Sequence, residues 1–527
     1  MARSPIGIFA QRVAAQAGER RANRDDPARR DFLAGLAASL ALAGCAAPAE
    51  SIPPLLARAS RPRGRSRIVV IGAGVAGVTC AYRLHQAGLD CSIYEANGRA
   101  GGRTWTLRGF FDDDQISEHG GQLIASTHRH VRRLAAELGL HLTDLNALYP
   151  KDARDTYMIS GERYSVREAV DDYDRWVYGP LRRAARAAGY PTTFFRHTSQ
   201  GAELDRTSVD AWLDKNVRGG SHSKIGTLLR LACLSEYGGE TSEQSSLNLI
   251  FLLSGMRRAV LNLSGTGEDD RYTIDGGNDQ LVERMIARLP KETVSLGTSL
   301  EALGRRTDGS YECTFEASGT TKAVRADVVV LSIPFTVLRL VDCRRAGFSQ
   351  RKRRAIADLD LGSNAKVHLQ FDKSYWFEER YSGTAYADAA FQDAWDISIG
   401  QRGKAGMLVC FPGGSQGAHY RGEVHGAAPL ATAREYLASL EPVLPGAQRA
   451  FNGRAYQDFW IGSRFTRGAY SYYKLGQYTT LAGIESRPEG NVHFCGEQTS
   501  YNWQGYINGA VQSGERAARE ILASRSI

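Results

Sequence analysis

The sequence lacks the features that mark several large protein classes. Its eight cysteines form no CxxC pair and no other metal-ligand spacing, which argues against a zinc site or a dense disulfide framework. No apolar run is long enough to span a bilayer. No aromatic residues interleave with the densest basic cluster, at 344–354, so nothing favours nucleic-acid binding. What remains is a globular chain of 527 residues, long enough for two domains.

The first 45 residues predict an export signal. Arg29 and Arg30 precede a short alanine-rich apolar run that ends in Leu42-Ala43-Gly44-Cys45. This ending is typical of a bacterial lipobox, where cleavage leaves Cys45 as a lipidated N-terminus, and the paired arginines resemble a twin-arginine signal. Residues 46–66 are rich in Pro, Ala, Ser and Arg and predict a flexible tether. We therefore expect a periplasmic protein that meets the membrane only through its lipid, with its other cysteines mostly buried thiols.

A dinucleotide site begins at residue 67. A short apolar strand (67–71) leads into Gly72-Ala73-Gly74-Val75-Ala76-Gly77, a helix that ends at Gly88, and a second strand (91–94) that ends at Glu95. The first glycine suits a tight turn, the second lets the backbone approach a pyrophosphate, and the third lets helix and strand pack closely. Glu95 is placed to accept a hydrogen bond from a ribose hydroxyl. The N–H groups in the first turn of the helix are placed to bind phosphate.

The residues after Glu95 distinguish FAD from NAD. Arg99-Ala100-Gly101-Gly102-Arg103 adds a second glycine pair and two arginines, of which Arg103 can hold a phosphate oxygen in its planar fork. Here the chain resembles the flavin-containing amine oxidase superfamily, of the monoamine oxidase type, whose signature is an acid followed by R-x-G-G-R. The resemblance implies FAD as the cofactor.

The resemblance extends over residues 66–525 through further motifs in the family's order. They are Glu118-His119-Gly120-Gly121-Gln122 beside the flavin ring, the glycine turn 275–281, the strand Val294-Ser295-Leu296 whose backbone meets the adenine, Gly496-Glu497, and the closing run 505–514. The fold implied is α/β (α+β): a Rossmann-like FAD-binding domain interleaved with a sheet-plus-helices substrate domain. The FAD-binding domain takes 66–150, 270–345 and 485–525, and the substrate-binding domain takes 151–269 and 346–484.

A catalytic lysine is implied at Lys366. Residues 362–371 alternate as a strand, with Lys366, His368 and Gln370 on one face, and a lysine there is on pattern alone a surface residue. In the family, a lysine in such a strand, followed by an aromatic-Trp pair such as Tyr375-Trp376, holds a water against flavin N5 and promotes reoxidation by oxygen. His368 is interpreted as a structural polar group.

A pair of tyrosines is implied to flank the amine. The matching positions are Tyr470, in Gly468-Ala469-Tyr470, and Tyr506, with Trp503 as a further wall. Facing aromatic rings would give an electron-rich, dry slot that stabilises positive charge as the C–N bond becomes an imine.

The resemblance thus implies two sets of site residues and no metal ligand. The catalytic and substrate residues are Lys366, Tyr470, Tyr506, Trp503 and Gln122. The cofactor-binding residues are Gly72, Gly74, Ala76, Gly77, Glu95, Ala96, Arg103, Gly121, Gln122, Val294, Gly496 and Glu497.

Two departures from the family pattern are informative. Monoamine oxidases attach FAD through the cysteine before the first cage tyrosine, and this chain has Ala469 there, so FAD is expected to bind noncovalently. Amino-acid oxidases of the superfamily place a Met-Arg pair after the flavin-side glycine, and this chain has Gly121-Gln122-Leu123. The missing carboxylate clamp favours an amine over an α-amino acid.

The expected function is oxidation of a small-molecule amine by molecular oxygen. The amine would pass a hydride to flavin N5 between Tyr470 and Tyr506, the imine would hydrolyse to an aldehyde, and reoxidation near Lys366 would release hydrogen peroxide. Three alternatives remain: an L-amino-acid oxidase on the same fold, a dehydrogenase or desaturase that passes electrons to quinone, and a non-enzymatic FAD-binding lipoprotein.

The sequence does not name the amine. Glu236, Glu240 and Glu243 could hold the distal ammonium of a diamine or polyamine, but three acids in an expected loop are usually solvated.

Overall fold

The computed structural model describes residues 66–265 and 268–524. The predicted export signal with Cys45, and the predicted tether up to residue 65, lie outside the described residues. Within the described ranges, no helix combines the length and the apolarity needed to cross a membrane. The cysteines described are free thiols, as predicted; Cys91 and Cys343 are partly buried and the others are buried.

The secondary structure alternates between strands and helices along the chain. The strands are β1 (Ile68–Ile71), β2 (Cys91–Tyr94), β3 (Thr106–Leu107), β4 (Ser117–Glu118), β5 (Leu142–Asp144), β6 (Arg154–Ile159), β7 (Glu162–Tyr164), β8 (Tyr272–Ile274), β9 (Val294–Ser295), β10 (Ser299–Arg305), β11 (Tyr311–Ala317), β12 (Thr320–Ala326), β13 (Val328–Leu331), β14 (Ala365–Phe371), β15 (Tyr381–Ala387), β16 (Asp393–Asp396), β17 (Gly406–Cys410), β18 (His425–Ala427), β19 (Phe451–Phe459) and β20 (Val492–Phe494). The helices are α1 (Val75–Gln86), α2 (Arg129–Glu137), α3 (Val166–Asp172), α4 (Tyr178–Ala188), α5 (Ser199–Asp205), α6 (Val209–Asn216), α7 (Lys224–Tyr237), α8 (Ser246–Leu253), α9 (Gln280–Ile286), α10 (Phe335–Leu338), α11 (Gln350–Asp358), α12 (Gly414–Ala418), α13 (Leu430–Leu440), α14 (Ala447–Ala450), α15 (Gln477–Thr480) and α16 (Ile507–Ala523).

A parallel sheet with strand order β20-β13-β1-β2-β9 forms the centre of the first core. Its inner strands β1 and β13 are apolar throughout and fully buried, as expected for strands covered by helices on both faces. Because Ile71 pairs with Tyr94, the glycine turn after β1 and the acid after β2 meet at one carboxyl edge of the sheet.

Helices α1 and α16 pack against this sheet and against each other. A Cβ on Gly514 of α16 would come within 2.4 Å of the Ala76 carbonyl oxygen in α1, so only glycine allows this approach. Buried apolar residues of both helices, including Val78, Leu84 and Val511, join the core with the strands.

A mixed sheet with strand order β18-β19-β14-β17-β16-β15-β6-β7 forms the second core. Strand β14 lies inside it and is buried on both faces. Its apolar face (Ala365, Val367, Leu369, Phe371) joins a hydrophobic cluster, while Lys366, His368 and Gln370 are buried polar residues. The predicted alternation is therefore present, and the polar face is enclosed rather than exposed to solvent.

These two cores confirm the predicted α/β class. The parallel sheet takes its strands from the ranges 66–150, 270–345 and 485–525, and the mixed sheet from 151–269 and 346–484. The helices α3–α8 belong to the second group of ranges. The division into two domains stays a prediction.

Candidate active site

A glycine turn at the carboxyl edge of β1 begins the site. Gly72 has φ +101°, and a Cβ on Gly77 would lie 2.1 Å from the Gly72 carbonyl oxygen, so neither position accepts a side chain without rearrangement. A Cβ on Gly74 would meet nothing within 4 Å. The turn thus packs tightly on its inner side and is open at Gly74, where the backbone can approach a ligand.

Glu95 lies beside this turn at the end of β2. Its Oε2 accepts from Ala73 N at 2.8 Å and its Oε1 accepts from Asn97 N at 2.8 Å. Burial raises the pKa of Glu95, and these backbone N–H groups and Arg99 act in the opposite direction. The carboxylate is fixed in orientation, and its remaining lone pairs can accept from ribose hydroxyls.

One cavity runs along the glycine turn and towards the start of α16. The predicted site residues that line it are Gly72, Gly74, Ala76, Glu95, Ala96, Arg103, Gly496, Glu497 and Tyr506. The open glycine edge, the fixed acid and the first turn of α1 together fit the pyrophosphate and ribose of a dinucleotide. FAD, the cofactor implied by the sequence, is consistent with this set.

The expected adenine contact at Val294 stays a prediction. Strand β9 pairs with β2 on one side, with Val294 opposite Ile93, and its other side is an edge of the parallel sheet. Thr298, Ser299 and Leu300, which follow this strand, line the cavity. The predicted strand is therefore present, and the chain meets the cavity directly after it.

Arg103 lines the cavity and also donates hydrogen bonds to other parts of the protein. Its Nη1 donates to the Ala469 carbonyl oxygen at 2.7 Å and to Glu497 Oε1 at 2.9 Å. Burial alone would raise the pKa of Glu497, and Arg103 and several hydrogen bonds hold it below its usual value. At this position the cavity carries a buried ion pair.

Glu497 links the two segments that carry the predicted cage tyrosines. Its Oε2 accepts from Ser471 Oγ at 2.7 Å and from Gly505 N at 2.8 Å. Ser471 directly follows Tyr470, and Gly505 directly precedes Tyr506. One carboxylate therefore fixes the backbone next to both tyrosines, a role that the sequence analysis did not assign.

Lys366 extends from β14 into the buried region beside this site. Its Nζ donates to the Glu118 carbonyl oxygen at 2.9 Å and to Gln122 Oε1 at 3.0 Å, and the residue is 1% exposed. Burial lowers the pKa of Lys366, while the charges of Glu118 and Asp458 oppose this shift. The structure thus brings Lys366 and Gln122 together, next to the segment predicted to pass the flavin ring.

A buried carboxylate with three histidines lies behind Lys366 and was not found from the sequence. Asp458, opposite Lys366 in the sheet, has His119 Nδ1 and His425 Nδ1 at 2.7 Å and His368 Nε2 at 3.0 Å. Burial lowers the pKa of His368 to about 4, against the opposing effect of Asp458. These contacts are consistent with a structural role for His368, which stays a prediction.

The same group contains a candidate metal-ligand set. One ligand atom each from His119, His425 and Asp458 lie within 4.8 Å of one another. Both Nδ1 atoms are at hydrogen-bond distance from the same Asp458 oxygen, so hydrogen bonds account for the arrangement. The four residues come from positions far apart in the chain, which explains why spacing rules did not reveal them.

The predicted tyrosines occupy different surroundings. Tyr470 is fully buried and its hydroxyl donates to the Ser235 carbonyl oxygen in α7. Tyr506 lies at the N-terminus of α16, lines the cavity, and has its ring 4.8 Å from that of His128. Trp503 lies 5.0 Å from His128 and 6.3 Å from Tyr506. Tyr506, Trp503 and His128 therefore form an aromatic cluster next to the part of the cavity that Tyr506 lines.

The two departures noted in the sequence are placed at the site. Ala469 is fully buried, its carbonyl oxygen accepts from Arg103 and its N–H donates to Gly362 O at 2.7 Å. At the position of the missing Met-Arg pair, Gln122 accepts from Lys366 and Leu123 is buried in an apolar cluster. Neither position offers a thiol or a guanidinium to a ligand.

Glu236 does not lie in a loop, contrary to expectation. It belongs to the last turn of α7 and is 1% exposed. Glu240 accepts from Ser415 N at 2.6 Å, and Glu243 is exposed. Only Glu236 of this trio is therefore enclosed near Tyr470.

Sequence comparison relates most of the chain to known proteins. The model of the family described as flavin containing amine oxidoreductase matches residues 75–522. Flavin-containing amine oxidase B of Sus scrofa is 25% identical over 475 residues, 86% of each chain. The probable flavin-containing monoamine oxidase A of Dictyostelium discoideum is 23% identical over 481 residues, 86% of this chain and 97% of the relative.

Solved structures share the fold. A wild-type putrescine oxidase bound to putrescine superposes with a TM-score of 0.73 at 23% identity, covering 88% of this chain and 100% of the other. Cyclohexylamine oxidase from Brevibacterium oxydans IH-35A gives a TM-score of 0.73 at 22% identity, covering 87% and 99%. The overall fold is therefore common to all three proteins.

Proposed function

The chain belongs to the flavin containing amine oxidoreductases and is an FAD-dependent amine oxidase, and from this premise we propose that it converts a small amine to an imine, which hydrolyses to an aldehyde, with release of hydrogen peroxide. The amine loses two electrons and two protons, and molecular oxygen gains them. Bound FAD would accept the hydride from the amine and pass the electrons to oxygen.

The observation that carries the proposal is the buried ammonium of Lys366. An ammonium has three N–H donors, and Glu118 O and Gln122 Oε1 engage two of them. The third can hold a water or stabilise negative charge that develops on oxygen. Placing a charged group here costs desolvation free energy, which a purely structural strand residue would not require.

Side chains of the protein would orient the substrate and exclude water from it. Trp503 and Tyr506 form an apolar wall whose ring faces can attract a developing positive charge. Glu497, through Ser471 and Gly505, holds the backbone beside Tyr470 and Tyr506 in a fixed geometry. Such positioning lowers the entropic part of the barrier and excludes water from the imine as it forms.

An amine is a better candidate substrate than an α-amino acid. An L-amino-acid oxidase would need a cation for the substrate carboxylate, and Gln122-Leu123 stands where the Met-Arg pair of those enzymes is expected. The relatives whose names specify a substrate act on amines.

The membrane attachment is also part of the proposal. We infer an exported, periplasmic lipoprotein anchored at Cys45, supported by the twin-arginine pattern and the lipobox in the sequence. Export of a folded protein by this route suits a chain whose cofactor is inserted in the cytoplasm.

The test is anaerobic bleaching of the flavin by a panel of monoamines, diamines and amino acids, followed by admission of oxygen. Amines should bleach the flavin, and oxygen should restore it with one peroxide per amine oxidised. Bleaching by amino acids alone would instead support an amino-acid oxidase. Reoxidation by a quinone but not by oxygen would support the dehydrogenase, and no bleaching by any substrate would support a flavin-binding lipoprotein.

A further inference from the structure

A group of buried carboxylates lies beside the proposed amine site. It consists of Glu236 in α7 and the consecutive residues Glu268, Asp269 and Asp270, which are 1%, 5%, 8% and 1% exposed. Several like charges in one buried region are unfavourable unless cations or hydrogen-bond donors compensate them. The partners of each carboxylate therefore indicate what the group can bind.

Two of these carboxylates have protein groups close to them. Asp269 accepts from Ser126 N at 2.7 Å and from Ser126 Oγ at 2.5 Å. Glu268 Oε1 accepts from Thr127 Oγ1 at 3.3 Å, and its Oε2 lies 2.9 Å from His128 Nε2 without the geometry of a hydrogen bond. These contacts hold the acidic segment against residues 126–128.

Asp270 is different. Both of its carboxylate oxygens are buried and neither has a hydrogen-bond donor at good geometry, although the Ser264 side chain lies close enough to favour its charged form. Burial, followed by the charges of Glu268 and Glu236, raises the pKa of Asp270 well above its usual range. A buried acid in this state needs either a proton or a cation.

The group is connected to both tyrosines of the proposed site. His128, the partner of Glu268, has its ring 4.8 Å from that of Tyr506 and 5.0 Å from that of Trp503. On the other side, Glu236 follows Ser235, whose carbonyl oxygen accepts from the Tyr470 hydroxyl. A substrate held at the tyrosines therefore has acidic groups within the same buried region.

We propose that Asp270, with Glu236 and Glu268 around it, binds a second ammonium group of the substrate, so that the preferred substrates are α,ω-diamines or longer polyamines. The inference rests on the proposed amine oxidation. A distal ammonium would donate to the unpartnered oxygens of Asp270 and compensate the surrounding negative charge. The neutral amine at the other end would remain free to react between the tyrosines.

The kinetic test compares α,ω-diamines with 1-aminoalkanes of equal chain length, using the flavin-loaded enzyme. Diamines should have kcat/KM values at least about tenfold higher than the matched monoamines, a ratio equivalent to about 1.4 kcal/mol. Asp270→Asn keeps the shape of the side chain and removes the charge. It should raise KM for diamines at least about tenfold, leave their kcat within about twofold, and affect monoamine oxidation much less.

A binding measurement separates this inference from the chemistry. A diamine whose amine-bearing carbons carry no hydrogen cannot be oxidised to an imine, so its affinity for the holoenzyme can be measured by calorimetry beside that of its monoamine counterpart. The diamine should bind at least about tenfold more tightly, and Asp270→Asn should remove the difference. Glu243→Gln, at an exposed acid of the neighbouring segment, is the matched control and should preserve it.

The outcomes are distinct. Equal affinity of diamine and monoamine for the wild-type holoenzyme, or equal losses for both in Asp270→Asn, overturns the subsite and leaves amine oxidation intact. Tight diamine binding without bleaching by any amine contradicts the proposed function but not the binding site. If Asp270→Asn does not retain flavin, Glu236→Gln repeats the comparison with the same expected loss of diamine preference.

Discussion

At the scale of single residues, the site combines buried charges with fixed partners. Lys366 is enclosed by β14 and its neighbours, yet Asp458 lies opposite it in the sheet and Glu118 carries one of its acceptors. The nearby carboxylates offset part of the desolvation that favours a neutral amine. This balance would keep a positive charge available where oxygen is reduced.

Lys366→Met should separate the two halves of the reaction. The change keeps length and apolar bulk but removes the charge and the donors, so anaerobic bleaching by amine should stay closer to wild type than reoxidation. Reoxidation should slow at least about tenfold, as expected for a loss of about 1.4 kcal/mol of transition-state stabilisation. Stopped-flow mixing of the reduced variant with oxygenated buffer measures this rate.

The control for that experiment is Lys352→Met, which removes another buried lysine whose Nζ donates to the Glu485 carbonyl oxygen. It should leave the reoxidation rate unchanged. If the reduced flavin of Lys366→Met is reoxidised as fast as that of the wild type, Lys366 has no role in the reaction with oxygen.

Ala469 makes a prediction about the cofactor. A methyl group cannot form a thioether, so the FAD should be held only by noncovalent contacts. Acid precipitation of the purified enzyme should therefore release all flavin absorbance into the supernatant. Yellow colour that stays with the pellet after washing would contradict noncovalent binding.

At the scale of elements, one carboxylate ties three helices together. Glu515 of α16 accepts from Arg83 of α1 at 3.0 Å and from Arg133 of α2 at 3.0 Å, and its Oε2 lies 2.8 Å from His130 Nδ1. Burial alone would raise the pKa of Glu515, but these partners lower it from 4.5 to about 2. The helices that cover the parallel sheet are thus joined by an ionised acid.

The ion pairs of Glu515 predict that the stability of the fold depends on pH. A group whose folded-state pKa is depressed stabilises the fold above its unfolded pKa and loses that effect as pH falls through the folded value. Glu515→Gln should lower the free energy of unfolding near neutral pH by about 3 kcal/mol at most. The difference from wild type should shrink between about pH 4.5 and pH 2, measured by urea unfolding at several pH values.

Glu378→Gln serves as the control because its partner Lys373 is exposed and such surface pairs contribute little. A loss in Glu515→Gln that is the same at every acid pH would show that packing, not charge, is responsible.

The elements differ in how far the sequence could predict them. The turn at Gly72, helix α1 and the strand to Tyr94 follow from local patterns, and the structure has them where those patterns place them. Asp458 and its three histidines could not be predicted, because sheet pairing, not spacing, brings them together.

One smaller error has the same physical origin. Glu236 was expected in a solvated loop, but α7 extends to Tyr237 and carries it inside. A sequence pattern shows which residues alternate or repeat, whereas burial depends on what packs against them.

At the scale of the whole molecule, the export proposal has a direct test. Replacing Arg29 and Arg30 with lysine should retain active, flavin-loaded enzyme in the cytoplasm, since the twin-arginine pattern would be lost. Cys45→Ala should abolish lipid attachment and release active enzyme from the membrane fraction. Cell fractionation with activity and flavin measurements checks both, and unchanged membrane association in both variants would contradict the proposal.

The strand order of the parallel sheet also has a consequence for biosynthesis. Its first strand, β1, lies between β13 and β2, and the outer neighbour of β13 is β20, more than 400 residues later in the sequence. The wall of the cavity formed by Gly496, Glu497 and Tyr506 comes later still. A nascent chain that has not yet reached Gly496 therefore holds only part of the cleft. We expect flavin capture to require synthesis of this last wall, so that chains truncated before Gly496 emerge colourless.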